Sequence, residues 1–255
     1  MAVSPNFKRT LFAGKKVAGT MLRIVRNPAV ACLAKNAGLD FVMFDCEHST
    51  YSMETLNDAF VIMNAIGLAG LVRVPCGTKD YISRALDAGA TGVMVPMVET
   101  REMAENLVKF AKYQPVGGRG FTAGCAHTGF KGGKHADIMR AGNDAVVAIA
   151  QIETRLAVDN IDDIASVDGI DVLMIGPNDL SVSLGIPGDM ENPVELEAIA
   201  KVAASCKKHG KIFGLHAGGG MQAKFASDLT FVMSSMDTDV LTQGFAAIRT
   251  MCDNL

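Results

Sequence analysis

Two short apolar runs in the middle of the chain each lead to a carboxylate. AVVAIAQIET carries Glu153 behind its run, and DVLMIGPNDL carries Asp179 just past its own. Two carboxylates brought together offer hard oxygen donors, the ligand type that suits Mg2+ or Mn2+. Other polar residues stand in comparable places: Asp45, Glu47 and His48 after FVMF, Arg73 inside LVRVP, Gln151 just before Glu153, Asn178 beside Asp179, and His216 after KIFGL. In DCEH, Asp45 lies close enough to His48 in a tight loop to orient and polarise an imidazole that moves protons near neutrality. A guanidinium inside an apolar strand needs an anion beside it; for Arg73 this is either a structural carboxylate or a substrate oxyanion. Each carboxylate alone also reads as a helix cap. Their joint occurrence with Arg73 and His48 favours a metal site.

Whether these residues meet depends on the elements that carry them. The two central runs are continuous rather than alternating and rich in Val and Ile, as strands buried on both faces of a parallel sheet are. Residues 156–167 between them have helical spacing, which makes a strand–helix–strand unit with both carboxylates on one sheet edge. The same alternation runs along the chain. Strands are expected at 17–24, 41–44, 69–74, 92–96, 211–216 and 229–234 besides the central pair. Helices are expected at 7–16, 28–38, 53–66, 79–88, 101–112, 192–209, 221–227 and 239–252, with a short one at 135–141. Eight strands alternating with eight main helices predict a single (β/α)8 TIM-barrel domain over residues 1–255. A doubly wound open sheet would show G-x-G-x-x-G after its first strand, and none is present. In a barrel, the residues at the strand carboxyl ends share one mouth.

Composition narrows the partners. The chain has 255 residues, 49% hydrophobic and 20% charged, enough to bury a large core. A formal charge of −3 argues against a nucleic-acid binder. No apolar run approaches the ~20 residues of a membrane span, and the N-terminal stretch lacks the apolar core of a signal peptide. The six cysteines form no C-x-x-C pair and read as reduced thiols of a cytoplasmic protein. Cys125, His127 and His135 in the glycine-rich stretch GGRGFTAGCAHTGFKGGK read as loop residues. The run AGGGM (217–221) is either a plain loop, the simpler reading, or a phosphate cradle at a helix start.

The order DCEH, LVRVP, LDAGATGVMVPMVET, GGRG, AQIET and GPNDL resembles the HpcH/HpaI aldolase family, the metal-dependent class II pyruvate aldolases of the 4-hydroxy-2-oxoheptanedioate and 2-keto-3-deoxy-sugar-acid type. The resemblance covers nearly the whole chain. It implies that Glu153 and Asp179 are the ligands of a divalent ion (Mg2+, Mn2+ or Co2+), that Gln151 contacts substrate, and that the backbone of Asn178 and Asp179 holds the pyruvate carboxylate. It implies His48 as acid/base with Asp45 as its partner, and Arg73 as the group facing the enolate oxygen. It implies that Asp87 reaches the site of a neighbouring subunit, and that the protein is a hexamer, a trimer of dimers, with an exchanged C-terminal helix. Gly124, Cys125 and Ala126 stand where the family usually has an arginine, and Ser235, Met236 and Asp237 replace a glycine–serine–aspartate pattern.

The activity implied is retro-aldol cleavage of a 4-hydroxy-2-oxo acid to pyruvate and an aldehyde, with small 2-oxo acids and aldehydes as the only partners and neither nucleic acid nor membrane involved. The same enolate site could instead serve a citrate-synthase-like condensing enzyme or a CoA-ester lyase. A phosphate-binding isomerase built on the Gly218 loop and a barrel without catalysis are further alternatives.

Overall fold

The computed structural model describes residues 2–4 and 6–255. Eight parallel strands close a barrel in sequence order. They are β1 (Val17–Leu22), β2 (Phe41–Asp45), β3 (Ala69–Arg73), β4 (Gly92–Val95), β5 (Val147–Ile152), β6 (Val172–Ile175), β7 (Ile212–His216) and β8 (Phe231–Met236). The expected TIM barrel is therefore found. No helix among the described residues is long and apolar enough to cross a membrane.

Alternate strand residues serve two cores, because successive side chains leave a strand on opposite faces. Phe41, Met43, Leu71, Met94, Ile149, Met174 and Phe231 fill the barrel interior. A first helix, α1 (Asn6–Phe12), contributes Leu11 and Phe7 to that interior core, the Phe7 ring lying 5.8 Å from Phe41. Val42, Phe44, Val72, Val93, Ala148, Ile152, Leu173 and Leu215 face the surrounding helices. These include α2 (Val30–Asn36), α3 (Met53–Ile66), α4 (Lys79–Asp87) and α5 (Arg101–Ala111). Burial of this kind stabilises by about 25 cal/mol per Å² of apolar surface.

Several boundaries depart from the sequence expectation for local reasons. Helix α1 stops at Phe12 rather than 16, two residues before Gly14 takes a left-handed φ of 74°. Strand β1 stops at Leu22 rather than 24, because the amides of Arg23, Ile24 and Val25 donate to the buried Asp237 carboxylate. The helix before β5, α6 (His135–Ala145), outruns its expected end at 141. The segment 156–167 breaks at Asn160 into α7 (Arg155–Asp159) and α8 (Ile161–Ala165), and the Asn160 side chain donates to the Glu99 carbonyl. A short helix not expected from the sequence, α9 (Pro177–Ser183), carries Asn178 and Asp179. It is followed by α10 (Pro193–His209) and α11 (Gly219–Lys224). The last helix, α12 (Asp237–Asp253), exposes Val240, Leu241, Phe245, Ile248 and Met251.

Candidate active site

The site assembles at the carboxyl ends of β2, β3, β5 and β6, where a parallel barrel leaves its loops free for chemistry. Register fixes who meets whom. Asp45 is paired with Arg73 across β2 and β3, and Ile152 with Ile175 across β5 and β6. Glu153 therefore emerges opposite Gly176, the residue that opens the turn into α9.

Glu153 is fully withdrawn from solvent. Its Oε1 accepts the Met97 amide at 2.8 Å, and its Oε2 accepts a hydrogen bond from the Gln151 amide. Met97 holds a φ of 51°, a left-handed conformation uncommon for a non-glycine residue and of the sort that clusters at functional sites. Gly176 is required by the close approach: a Cβ there would stand 2.5 Å from Glu153 Oε2 and 2.7 Å from Gln151 Nε2. Burial pushes the Glu153 pKa up to about 7; the Met97 amide opposes this, Asp179 and Glu47 add to it, and Arg73 opposes it. Of the two carboxylates that the sequence pairs, Asp179 is exposed on the rim, three residues past Gly176, and Glu153 is buried opposite that glycine.

Asp45 and Arg73 form the floor of the site beside this pair. Asp45 is completely buried and takes Arg73 Nε at 3.0 Å and Nη2 at 2.8 Å, one on each oxygen. Arg23 Nε adds a third contact at 2.9 Å. Burial alone would raise the Asp45 pKa, but Arg73, the His48 amide and Arg23 outweigh it and hold the carboxyl below its usual range. Two structural carboxylates therefore hold Arg73 in place, Asp45 and, 3.1 Å from Nη1, Glu47 Oε2. Burial raises the Glu47 pKa; Arg73 and His48 oppose it, while Asp45 and Asp179 reinforce it.

This geometry corrects one sequence expectation. Asp45 does not polarise the His48 ring. Its Oδ1 accepts the backbone amides of Glu47 and His48, at 3.1 and 3.2 Å, and so shapes the loop, while both oxygens are committed to guanidinium groups. The exposed His48 ring instead has Nε2 3.6 Å from Glu47 Oε2. Asp87, expected to reach a neighbouring subunit's site, lies away from the mouth of its own chain. It ends α4, ahead of β4, and so lies on the opposite, amino-terminal face, where Arg119 Nη2 pairs with it at 2.5 Å and His127 Nδ1 lies 3.9 Å away. Two contributors escaped the sequence reading. Arg23 stands just past β1, and Asp237 ties the loop after β1 to the start of α12. The only signal for Arg23 is its place behind a strand; Asp237 shows only as the last residue of the Ser235, Met236, Asp237 departure from the family pattern.

Hard oxygen donors are what this site offers. The Gln151 Oε1 atom is buried with no hydrogen-bond partner, an acceptor left open next to Glu153. Among the described residues no group of three or more His, Cys, Asp and Glu is arranged to hold an ion. A pair of carboxylates, with the remaining positions left to water and substrate oxygens, is the donor set that suits Mg2+ and Mn2+. The residues present fit such an ion.

A parallel barrel with its charged residues gathered at the strand carboxyl ends is the frame of a TIM-barrel enzyme. The chain belongs to the HpcH/HpaI aldolase/citrate lyase family, whose model matches residues 23–233. It is 33% identical over 243 residues to a 2-keto-3-deoxy-L-rhamnonate aldolase of Klebsiella pneumoniae, covering 94% of this chain and 90% of that protein. It is 36% identical over 223 residues to a 4-hydroxy-4-methyl-2-oxoglutarate aldolase of Chaetomium globosum, covering 84% of this chain and 81% of that one. Among solved structures, an HpcH/HpaI aldolase from Desulfitobacterium hafniense superposes with a TM-score of 0.93 at 34% identity, covering 97% of this chain and 96% of its own. The citrate synthase SbnG superposes with a TM-score of 0.86 at 29% identity, covering 97% of each.

Proposed function

We propose that this chain is a divalent-metal-dependent aldolase that cleaves a 4-hydroxy-2-oxo acid to pyruvate and an aldehyde, and joins the two in reverse. One observation carries the reading: the buried Glu153 emerges from β5 opposite Gly176, at the turn that leads into Asn178 and Asp179 of α9, on the same barrel rim as the Asp45–Arg73 pair. Glu153 and Asp179 are the ligands for Mg2+, Mn2+ or Co2+, with Gln151 beside them for substrate. An ion held there supplies Lewis-acid polarisation of the 2-oxo carbonyl.

The chain's own groups do the rest. The amides of Asn178 and Asp179 orient the substrate carboxylate. Arg73, immobilised by Asp45 and Glu47, meets the negative charge that grows on the oxo oxygen as the C3–C4 bond breaks. Loss of one such preorganised donor costs roughly 10²–10³ in rate. His48 takes the proton of the 4-hydroxyl during cleavage; a proton then enters at C3 to give pyruvate. In addition the balance reverses: C3 loses a proton, attacks the aldehyde carbon, and the new alkoxide is protonated. Asp87, on the amino-terminal face, acts from another copy of the chain, in a cytoplasmic hexamer built as a trimer of dimers. The apolar face of α12 is the element exchanged between copies.

The alternative, a citrate-synthase-like or CoA-ester lyase reaction on the same enolate, is supported by the likeness to citrate synthase SbnG; the aldolase names of the sequence relatives favour the first reading. Chelation should abolish pyruvate release from 4-hydroxy-2-oxo acids, and Mg2+ or Mn2+ should restore it. Undiminished turnover in ion-free protein would overturn the proposal.

A further inference from the structure

A cavity of about 540 Å³ opens beside Asn178, between the ends of β6, β7 and β8. Its lining includes the carboxylates Asp189, Glu191 and Asp239, and among the described residues it includes no lysine or arginine. Glu191 is neutralised by an ion pair with Lys224, which leaves Asp189 and Asp239 to set the sign of the wall. Gly218 and Gly220 line it too, and a Cβ at either would find no atom within 4 Å. Packing does not require these glycines; their missing side chains keep the space open.

His216 ends β7 and lines the same cavity. Its Nε2 lies 3.3 Å from the carbonyl oxygen of Ser235, which also accepts the Thr20 hydroxyl at 3.1 Å. A carbonyl only accepts, so the ring carries its proton on Nε2, and in the neutral ring Nδ1 is an acceptor. Ser235 holds a φ of 56°, a strained conformation for a non-glycine residue, of the sort that persists where surrounding structure over-determines it. Burial draws the His216 pKa down against the pull of the Ser235 carbonyl, and Arg73 and Arg23 draw it down further, so the ring stays neutral. Leu215 pairs with Ile175 across β7 and β6, so His216 emerges beside Gly176, the residue packed against Glu153 and Gln151 at the reacting end.

We infer that this cavity receives the aldehyde half of the substrate, that His216 accepts a hydrogen bond from a hydroxyl on it, and that the acidic wall excludes acceptors carrying a carboxylate. The preferred acceptor is then a neutral, hydroxylated aldehyde. The inference rests on the aldolase reading and names its second substrate.

The test uses the full chain with Mn2+. Exchange of the pyruvate methyl protons with deuterated solvent, followed by NMR without aldehyde, reports enolate formation alone. Addition rates with glycolaldehyde, propanal and glyoxylate, each divided by the same protein's exchange rate, report the acceptor. The wild type is expected to prefer glycolaldehyde to both others. His216→Leu should cut the glycolaldehyde-to-propanal ratio by about five- to tenfold, the worth of one neutral hydrogen bond. Asp189→Asn, a change at an exposed position, should raise the relative rate with glyoxylate by about threefold. Exchange with an unchanged ratio in His216→Leu, or a wild type that prefers glyoxylate or propanal, overturns the inference and leaves the aldolase reading standing. Absence of exchange under Mn2+ and Mg2+ removes the aldolase reading, and this inference with it.

Discussion

Arg73 and Asp45 are joined by two hydrogen bonds, Nε to Oδ1 at 3.0 Å and Nη2 to Oδ2 at 2.8 Å, at neighbouring positions of β3 and β2. The pair is buried, so its value is less in net stability than in fixing a guanidinium at one place under the mouth of the barrel.

Removing one partner of such a pair leaves an uncompensated charge. Asp45→Ala should destabilise the protein by about 3–5 kcal/mol, read from urea unfolding of the ion-free protein. Arg73→Ala should lower kcat by roughly 10²–10³ with a smaller change in KM, read from pyruvate release. A loss confined to KM would mean that Arg73 only binds.

Gly176→Ala brings a methyl group against Glu153 and Gln151. The barrel should still form, because the change lies at its rim, while metal affinity falls by about 10–100-fold. Circular dichroism together with Mn2+ titration checks both halves. Unaltered affinity would show that the Glu153 carboxylate has room to move.

The pH dependence follows from Glu153, whose pKa stands at about 7, above the ordinary 4.5 of the unfolded chain. Between those values the folded state binds the extra proton, so this group's contribution to the stability of chelated protein is greatest below the lower value and is lost as pH rises through the upper one. The urea midpoint of the chelated protein should therefore show a fall between about pH 4.5 and 7 that is missing in Glu153→Gln. An identical profile in the variant would place the titration elsewhere.

Phe245 and Ile248 on α12 are among the residues that present apolar surface to solvent in a single chain. Phe245→Asp should shift the protein to a smaller assembly by light scattering while leaving the barrel's far-ultraviolet spectrum intact. An unchanged mass would mean that α12 is not the element shared between copies.

Much of this was legible in the sequence because burial on both faces of a parallel strand writes itself as a continuous apolar run. The strands ending at Asp45, Arg73 and Ile152 were placed to within a residue or so for that reason, and the polar residues behind them followed. What escaped was set by contacts between distant segments. Nothing local marks Arg23 as a partner of Asp45, which is 22 residues away. Proximity in DCEH favours an Asp45–His48 pair, but the guanidinium groups of Arg73 on β3 and Arg23 just past β1 compete for the same oxygens and win. Helix α9 leaves no mark in the sequence, because its seven residues from Pro177 carry too little periodicity to register.

The central claim is that Glu153 and Asp179 grip one ion. Isothermal titration of Mn2+ into the wild type, Glu153→Gln and Asp179→Asn tests it most directly. One ion should bind per chain in the wild type, and binding should be lost in each variant. Wild-type affinity retained in either variant would contradict it.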